Sequence, residues 1–109
     1  MKTLAELQTE VGEWTERNFS DRDVVDPALG MVEELGEFCH AVLKLRQGIR
    51  GVDDAAAFRM ETDALGDLLI YVLDYCNLRG IELQTALEDV WSEVSKRDWR
   101  KYPLDGLTR

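Results

Sequence analysis

Apolar residues recur every three or four positions along most of this sequence, and that spacing is typical of helices that bury one face. The first segment shows the period at four positions: Leu4, Leu7, Val11 and Trp14. Thr3 and Glu6 have the spacing of a capping box, in which each side chain satisfies the backbone N–H of the other residue. The sequence therefore predicts a first helix that ends at about Arg17.

Three further helices follow from their start and stop signals. Asp26 before Pro27 is typical of a helix start. Gly48 and Gly80 are typical of helix ends, and Pro103 prevents a helix from continuing past it. The predicted ranges are about 26–47, 54–79 and 82–102. Because helices with apolar stripes must bury those stripes together, we expect an all-α four-helix bundle that forms one domain over residues 1–109.

The third predicted helix differs from the others because it is apolar around most of its circumference. Between Leu68 and Cys76, apolar and aromatic side chains cover nearly every direction around the helix axis. A helix of this kind is typically buried on more than one side, against its own chain and against a second subunit. We therefore expect a homo-oligomer, either a homodimer or a homotetramer.

The chain carries a formal net charge of -9, from 22 acidic and 13 basic residues. An average field of this sign repels DNA, RNA and acidic membrane surfaces, which argues against nucleic acid or a membrane as a partner. An anionic ligand needs bound cations or a local basic cluster in order to bind such a chain. Because no apolar run has the length of a membrane span and the first residues do not resemble a signal peptide, we expect a cytoplasmic protein.

The second predicted helix carries a polar stripe formed by Glu33, Glu37, His40 and Lys44, with Glu34 beside it. Its opposite face carries Leu35, Cys39, Val42 and Leu43, and we expect that face to enter the core. A solvated surface is the ordinary explanation for such a polar stripe. The third helix favours a different explanation, because Asp63, Asp67 and Asp74 align along a helix that is otherwise largely apolar.

Acidic residues rarely interrupt a buried helix unless they are paired or bind a cation. Two neighbouring helices that both present carboxylates would form a site of oxygen ligands with high negative charge. Hard oxygen ligands select Mg²⁺ or Mn²⁺ over softer metals. The two stripes therefore predict a site for Mg²⁺, which Mn²⁺ can replace.

Two motifs on these helices carry a resemblance to a known family. EELGE at 33–37 and DALGD at 63–67 resemble the EExxE and ExxD signature of the MazG-like all-α nucleoside triphosphate pyrophosphohydrolases. The segments LKLRQGIRG, IYVLDYCNLRGIEL and WSEVSKRDW extend the resemblance along most of the chain. The resemblance implies a Mg²⁺-dependent enzyme that hydrolyses a (deoxy)nucleoside triphosphate to the monophosphate and pyrophosphate, a reaction suited to nucleotide-pool cleaning.

The resemblance also implies roles for individual acidic residues. Three residues match the family's metal ligands: Glu34, Glu37 and Asp67. Glu33 matches a further acid that binds metal or orients water, so Glu33 and Glu37 are the expected catalytic residues. The family's ExxD glutamate falls at Ala64 in this chain, and we expect the adjacent Asp63 to replace it as a metal ligand. The number of metal ions is left open by this departure.

Basic and aromatic residues complete the predicted site. Four cations are candidates for binding the substrate's phosphates: Lys44, Arg50, Lys96 and Arg97. Three aromatic residues are candidates for contacting its base or sugar: Trp14, Phe38 and Tyr71. Ordinary solvation of the cations and core packing of the aromatic rings are the alternative explanations.

Two other functions fit parts of the sequence. Glu37 and His40 have the Glu-x-x-His spacing of carboxylate-bridged di-iron bundles, although the chain contains one histidine. A non-catalytic helical interaction module derived from this fold would also explain the missing glutamate at residue 64. Clustered carboxylates suit Mg²⁺ better than a mixed iron site, which argues against the di-iron alternative. We expect nucleotide hydrolysis, and an activity assay separates it from the non-catalytic module.

Overall fold

The computed structural model describes residues 1–107, and this part of the chain contains four α-helices and no strand. The helices are α1 (Leu4–Asn18), α2 (Val25–Gln47), α3 (Asp54–Arg79) and α4 (Leu83–Val94). The predicted all-α class is confirmed. No helix within residues 1–107 has the combination of length and apolarity that crossing a membrane requires.

Most of the predicted caps are present. Thr3 Oγ1 accepts a hydrogen bond from the backbone N–H of Glu6 at 3.1 Å, and the Glu6 carboxylate accepts one from the Thr3 N–H at 3.3 Å. Asp53 caps α3 by accepting from the Ala56 N–H at 2.8 Å. Gly48 and Gly80 follow α2 and α3 with φ of 67°, a left-handed conformation that glycine adopts without steric cost.

The predicted start of α2 at Asp26 is wrong by a short distance, because α2 begins at Val25. The Asp23 carboxylate accepts a hydrogen bond from the Val25 N–H at 2.9 Å. The Asp26 carboxylate reaches back to accept one from the Asp23 N–H, also at 2.9 Å. Two acids therefore share the start of the helix, and Pro27 follows in the first turn, where its missing N–H costs nothing.

The predicted end of α4 near Tyr102 is also wrong, because the helix ends at Val94 and residues 95–106 form a series of turns. The Asp98 carboxylate accepts hydrogen bonds from the N–H groups of Arg100 and Lys101, both at 3.1 Å. Such local side-chain bonds compete with helical hydrogen bonds. Lys96 and Arg97, which were predicted on the last turns of this helix, therefore lie beyond its end.

An antiparallel pair of helices, α2 and α3, forms the centre of the fold. The side chain of Tyr71 lies against Gly30, and Ala64 lies in one groove with Glu37 two turns further along α2. Residues of the two helices thus approach in opposite order along the chain. The seam between them is made largely of small side chains: Pro27, Gly30 and Ala41 on α2, and Ala57 and Ala64 on α3. Small residues allow the two backbones to lie close together.

The α2 face that was predicted to enter the core is exposed in the chain, and this prediction is wrong for a single subunit. Leu35, Val42 and Leu43 are each about half exposed, and Cys39 is exposed as well. The buried face contains Glu34 together with the small seam residues. The apolar stripe of α2 is therefore free to contact something other than its own chain.

The first and last helices pack at the side of this pair. α1 contacts α3 and α4, and two glutamines join its start to the start of α4. Gln8 Oε1 accepts from the Leu83 N–H at 3.1 Å, while Gln84 Oε1 accepts from the Ala5 N–H at 3.0 Å. Because α4 packs mainly against α1, the large apolar residues of α4 remain exposed. The four helices of one chain therefore do not enclose the predicted shared core.

Candidate active site

A groove of about 520 Å³ lies between α2 and α3 and contains parts of both motifs. Its lining residues are Glu33, Gly36, Glu37, His40, Met60, Asp63 and Ala64. We call it the acidic groove. The antiparallel packing of the two helices explains why motifs that are distant in sequence meet here. Ala64 is almost completely buried in the seam, whereas the adjacent Asp63 is exposed and presents its carboxylate to the groove.

Glu34 occupies the buried face of α2, and it is only 7% exposed. Its Oε2 atom is buried and has no hydrogen-bond partner among residues 1–107. Burial raises the pKa of Glu34 above its ordinary value, and hydrogen bonding to Glu37 raises this pKa further. The negative charges of Glu37, Asp67 and Glu33 act in the same direction. These four acids therefore form one electrostatic cluster, with Glu34 at its buried end.

A second cavity, of about 320 Å³, borders the same cluster on the side of α1. Its lining residues are Trp14, Thr15, Phe19, Glu34, Asp67, Ile70, Tyr71 and Asp74. We call it the aromatic pocket. Trp14 and Phe19 meet edge to face with their ring centroids 5.7 Å apart. Since Glu34 and Asp67 belong to its wall, this pocket places two acidic residues next to an aromatic surface.

Tyr71 on α3 packs against Gly30 on α2. Its ring occupies the space above Gly30, and a Cβ atom added at Gly30 would lie 2.5 Å from the ring. Burial raises the pKa of the Tyr71 hydroxyl, and the charges of Glu33, Glu34, Asp67 and Asp74 raise it as well. The hydroxyl therefore stays protonated at neutral pH and can donate a hydrogen bond.

Asp74 belongs to a different arrangement from the one the sequence predicted. It was expected to extend the carboxylate stripe of α3, but Arg22 Nε donates a hydrogen bond to its Oδ1 at 2.6 Å, and both side chains are 8% exposed. Arg22 also contacts the Glu16 carboxylate at 3.4 Å. Arg22 was not predicted from the sequence, although an isolated acid in an apolar helix is itself a signal that a cation lies nearby.

The chemistry of the acidic cluster fits a hard divalent cation. Carboxylate oxygens are ligands that Mg²⁺ and Mn²⁺ favour, and the buried Glu34 Oε2 has no hydrogen-bond partner within the described part of the chain. As the side chains stand, no three or more His, Cys, Asp or Glu residues within 1–107 converge closely enough to enclose an ion. Glu37 and Asp67, whose charges help to raise the Glu34 pKa, are both exposed.

Several predicted substrate residues have other partners in the described chain. Lys44 Nζ donates to the Gln47 side chain at 2.9 Å, and Lys96 Nζ lies 3.4 Å from the Glu93 carboxylate. The Arg97 guanidinium lies 5.9 Å from the centroid of the Trp99 ring. Arg50, in the α2–α3 connection, has a φ of 61°, and Phe38 is half-buried on α2. Of the predicted aromatic residues, Trp14 and Tyr71 line the aromatic pocket.

No solved structure matches the chain. A dATP/dGTP diphosphohydrolase from Salmonella phage PMBT28 is 27% identical over 99 residues, which cover 91% of this chain and 29% of that protein. The chain thus spans less than a third of the length of this relative. The family model of the MazG nucleotide pyrophosphohydrolase domain matches residues 27–102, from the first turn of α2 to the turns after α4. This chain belongs to the family of MazG nucleotide pyrophosphohydrolase domains.

Proposed function

We propose that this protein hydrolyses a (deoxy)nucleoside triphosphate to the monophosphate and pyrophosphate, and that the reaction requires Mg²⁺ or Mn²⁺. The single observation that carries the proposal is the buried Glu34 carboxylate beside Glu33, Glu37 and Asp67, with one oxygen, Oε2, that has no hydrogen-bond partner among residues 1–107. Buried negative charge of this kind is unfavourable unless a cation neutralises it. Membership of the MazG family supports the same reaction.

Glu34, Glu37 and Asp67 are the residues that we propose to hold the metal, with Asp63 as a further ligand from the acidic groove. When bound, Mg²⁺ would neutralise phosphate charge and make a water molecule more acidic. Glu34 and Asp67 also line the aromatic pocket. The phosphates of a substrate bound at the metal would therefore lie next to this pocket, where we propose that the base binds.

Glu33 is the residue that we propose to orient the attacking water. It lines the acidic groove with Glu37 and also lines a neighbouring cleft with Gly30 and Tyr71. An exposed carboxylate in this position can accept a proton from water without leaving the groove. Glu37, whose negative charge helps to raise the pKa of the neighbouring Glu34, is the residue that we propose to share this role.

The substrate is proposed from similarity and from charge. The relative named for dATP and dGTP makes purine deoxynucleoside triphosphates the first substrates to test. Lys44, one turn beyond His40 on α2, is the cation that we propose for the terminal phosphates, and Arg50 in the following connection is the second. Nucleotide-pool cleaning is the biological role that suits this reaction.

A homo-oligomer, either a dimer or a tetramer, is part of the proposal. The exposed stripes of α2 and α4 contain large apolar residues such as Leu35, Val90 and Trp91. A monomer would leave these side chains in water, at a cost of about 25 cal/mol for each Å² that a partner would cover.

The reaction is tested by incubating the protein with Mg²⁺ and a panel of nucleoside and deoxynucleoside triphosphates, and by separating the products. We expect monophosphate and pyrophosphate in equal amounts, and we expect EDTA to abolish their formation. Glu37→Gln should abolish turnover while the protein remains folded. Formation of diphosphate and orthophosphate would contradict the proposed bond cleavage, and intact nucleotides throughout would favour a non-catalytic helical module.

A further inference from the structure

The aromatic pocket has a second polar end that the proposed reaction does not use. Glu34 and Asp67 mark one end, and Asp74 lies seven residues after Asp67 on α3. Seven residues of helix correspond to about 10 Å along the axis. The pocket is therefore long enough to separate a phosphate-binding end from an end that contacts a different part of the same molecule.

The wall between the two ends is suited to a flat ring. Trp14, Phe19 and Tyr71 contribute aromatic surface, and Ile70 contributes aliphatic surface. Aromatic rings of this kind stack on or pack against a nucleobase through large apolar contacts. If the phosphates lie at Glu34 and Asp67, the nucleoside extends along this wall, and the edge of its base reaches Asp74. This step rests on the proposed function.

The side chain of Asp74 is held in one orientation. Its Oδ1 accepts from Arg22 Nε at 2.6 Å, and Arg22 is fixed in turn by Glu16 and by the Phe19 carbonyl, which accepts from Nη1 at 3.3 Å. A carboxylate has two oxygens and about four lone-pair positions. The pair with Arg22 therefore leaves Asp74 able to accept further hydrogen bonds in the pocket that it lines.

We propose that Asp74, oriented by Arg22, recognises the exocyclic amino group of a nucleobase, so that the site selects adenine, guanine or cytosine over bases that lack this group. An amino group presents N–H donors to the carboxylate, and a charged acceptor in a largely buried site makes a strong hydrogen bond with it. A base without the amino group leaves that acceptor poorly satisfied, which reduces its binding.

The proposal is tested with pairs of ligands that differ in one amino group. The affinities of dAMP and its purine analogue without the 6-amino group are measured by calorimetry in the presence of Mg²⁺, together with the corresponding guanine and cytosine pairs. Monophosphates report on the base site whether or not the protein hydrolyses triphosphates, so failure of the proposed function and failure of this inference are distinguishable. We expect the amino compound to bind about tenfold more tightly or better in at least one pair.

The variant Asp74→Asn tests the role of the carboxylate. Arg22 would retain the amide oxygen as its acceptor, which turns the amide NH₂ toward the base and places two donors opposite each other. The affinity ratio within the pair should therefore fall to about one or below. Glu16→Gln is the matched control, since Glu16 contacts Arg22 from outside the pocket, and the ratio should persist in this variant.

Two results would overturn the inference. One is equal affinity of the wild-type protein for both members of every pair. The other is an Asp74→Asn variant that binds both members more weakly by the same factor, because a purely structural ion pair would lower both affinities and leave their ratio unchanged.

Discussion

Glu34 is the residue on which the chemistry of the site depends, and its position is unusual for an acid. The other buried residues of α2 are Pro27, Gly30 and Ala41, so Glu34 stands alone in a seam of small side chains. Its carboxylate has three acidic neighbours and a buried oxygen for which residues 1–107 supply no hydrogen-bond partner. An isolated buried charge of this kind destabilises the fold unless it is protonated or neutralised.

The raised pKa of Glu34 predicts how the stability of the metal-free protein depends on pH. Above the ordinary glutamate value of 4.5, the folded state binds more protons than the unfolded state until the raised pKa is passed. The free energy of unfolding therefore falls as the pH rises through this window. In EDTA, we expect the free energy of unfolding of Glu34→Gln to fall less steeply with rising pH than that of the wild-type protein. At pH 7 the variant should also melt at a higher temperature than the wild-type protein.

The measurement is a series of thermal melts of both proteins between pH 4 and pH 8 in EDTA. If the melting temperatures of the wild-type protein and Glu34→Gln depend on pH in the same way, Glu34 is not the acid whose ionisation destabilises the fold. The same variant should lose the increase in melting temperature that Mg²⁺ produces in the wild-type protein, because a ligand stabilises only the folded state that binds it.

At this scale the sequence predicted residue types better than residue partners. The two motifs made Glu33, Glu34, Glu37 and Asp67 candidates because their spacing is local to a helix, and the structure places these four acids in one electrostatic cluster. Arg22 was missed because it lies in the connection between α1 and α2 while its partner Asp74 lies on α3, and no local pattern relates the two positions. The sequence placed Glu34 beside the polar stripe of α2 but did not predict that it is buried. A helical period does not show which side of such a stripe faces the neighbouring helix.

The α2–α3 pair is the element that places both motifs together, and its close approach depends on small residues in the seam. A Cβ atom at position 30 would lie 2.5 Å from the Tyr71 ring, so Gly30→Ala forces that ring to move. Overpacking of a tight contact typically costs about 1–3 kcal/mol. We expect Gly30→Ala to lower the free energy of unfolding by about 1 kcal/mol or more and to reduce nucleotide turnover.

Gly66→Ala provides the control for this element. Nothing lies within 4 Å of a Cβ atom added at Gly66, and its φ is helical, so the substitution should stabilise α3 by about 0.5–1 kcal/mol through helix propensity. Urea denaturation of both variants measures the two effects. Equal changes of the same sign in the free energy of unfolding would contradict the claim that Gly30, unlike Gly66, lies in a tight contact between α2 and α3.

Element boundaries followed from the sequence wherever a side chain or glycine caps the helix itself. Thr3, Asp53, Gly48 and Gly80 are such signals, and they marked their helices correctly. The end of α4 was missed because the apolar period of the residues after Val94 is compatible with a helix. The Asp98 carboxylate instead accepts hydrogen bonds from nearby backbone N–H groups, which form turns. Local competition for hydrogen bonds decided that boundary.

The whole chain is more extended than a compact protein of its length. Its radius of gyration is 17.7 Å, compared with about 13 Å expected for a compact domain of about 100 residues. Leu87, Val90 and Trp91 lie on one exposed stripe of α4, and Trp91 is 63% exposed. The sequence predicted apolar stripes, but a helical period does not distinguish a stripe that packs within the chain from one that packs between chains.

The apolar stripe of α4 predicts a subunit interface. We expect the wild-type protein to form a dimer or tetramer at micromolar concentration. Trp91→Glu should shift the equilibrium toward monomer, because the substitution places a charge in the interface. Ser92→Glu adds the same charge one position along and should leave the oligomer intact. Light scattering after size exclusion measures all three proteins. A wild-type protein that is monomeric at every concentration would contradict this prediction.

The central claim is that carboxylates of α2 and α3 share a divalent cation, and direct titration with Mg²⁺ and Mn²⁺ tests it. Calorimetry should show binding to the wild-type protein, at least tenfold weaker binding to Glu34→Gln and to Asp67→Asn, and unchanged binding to Glu61→Gln, which removes one acid of α3 outside the cluster. Equal affinity in all four proteins would contradict the claim, because the ion would then be held somewhere other than between these two helices.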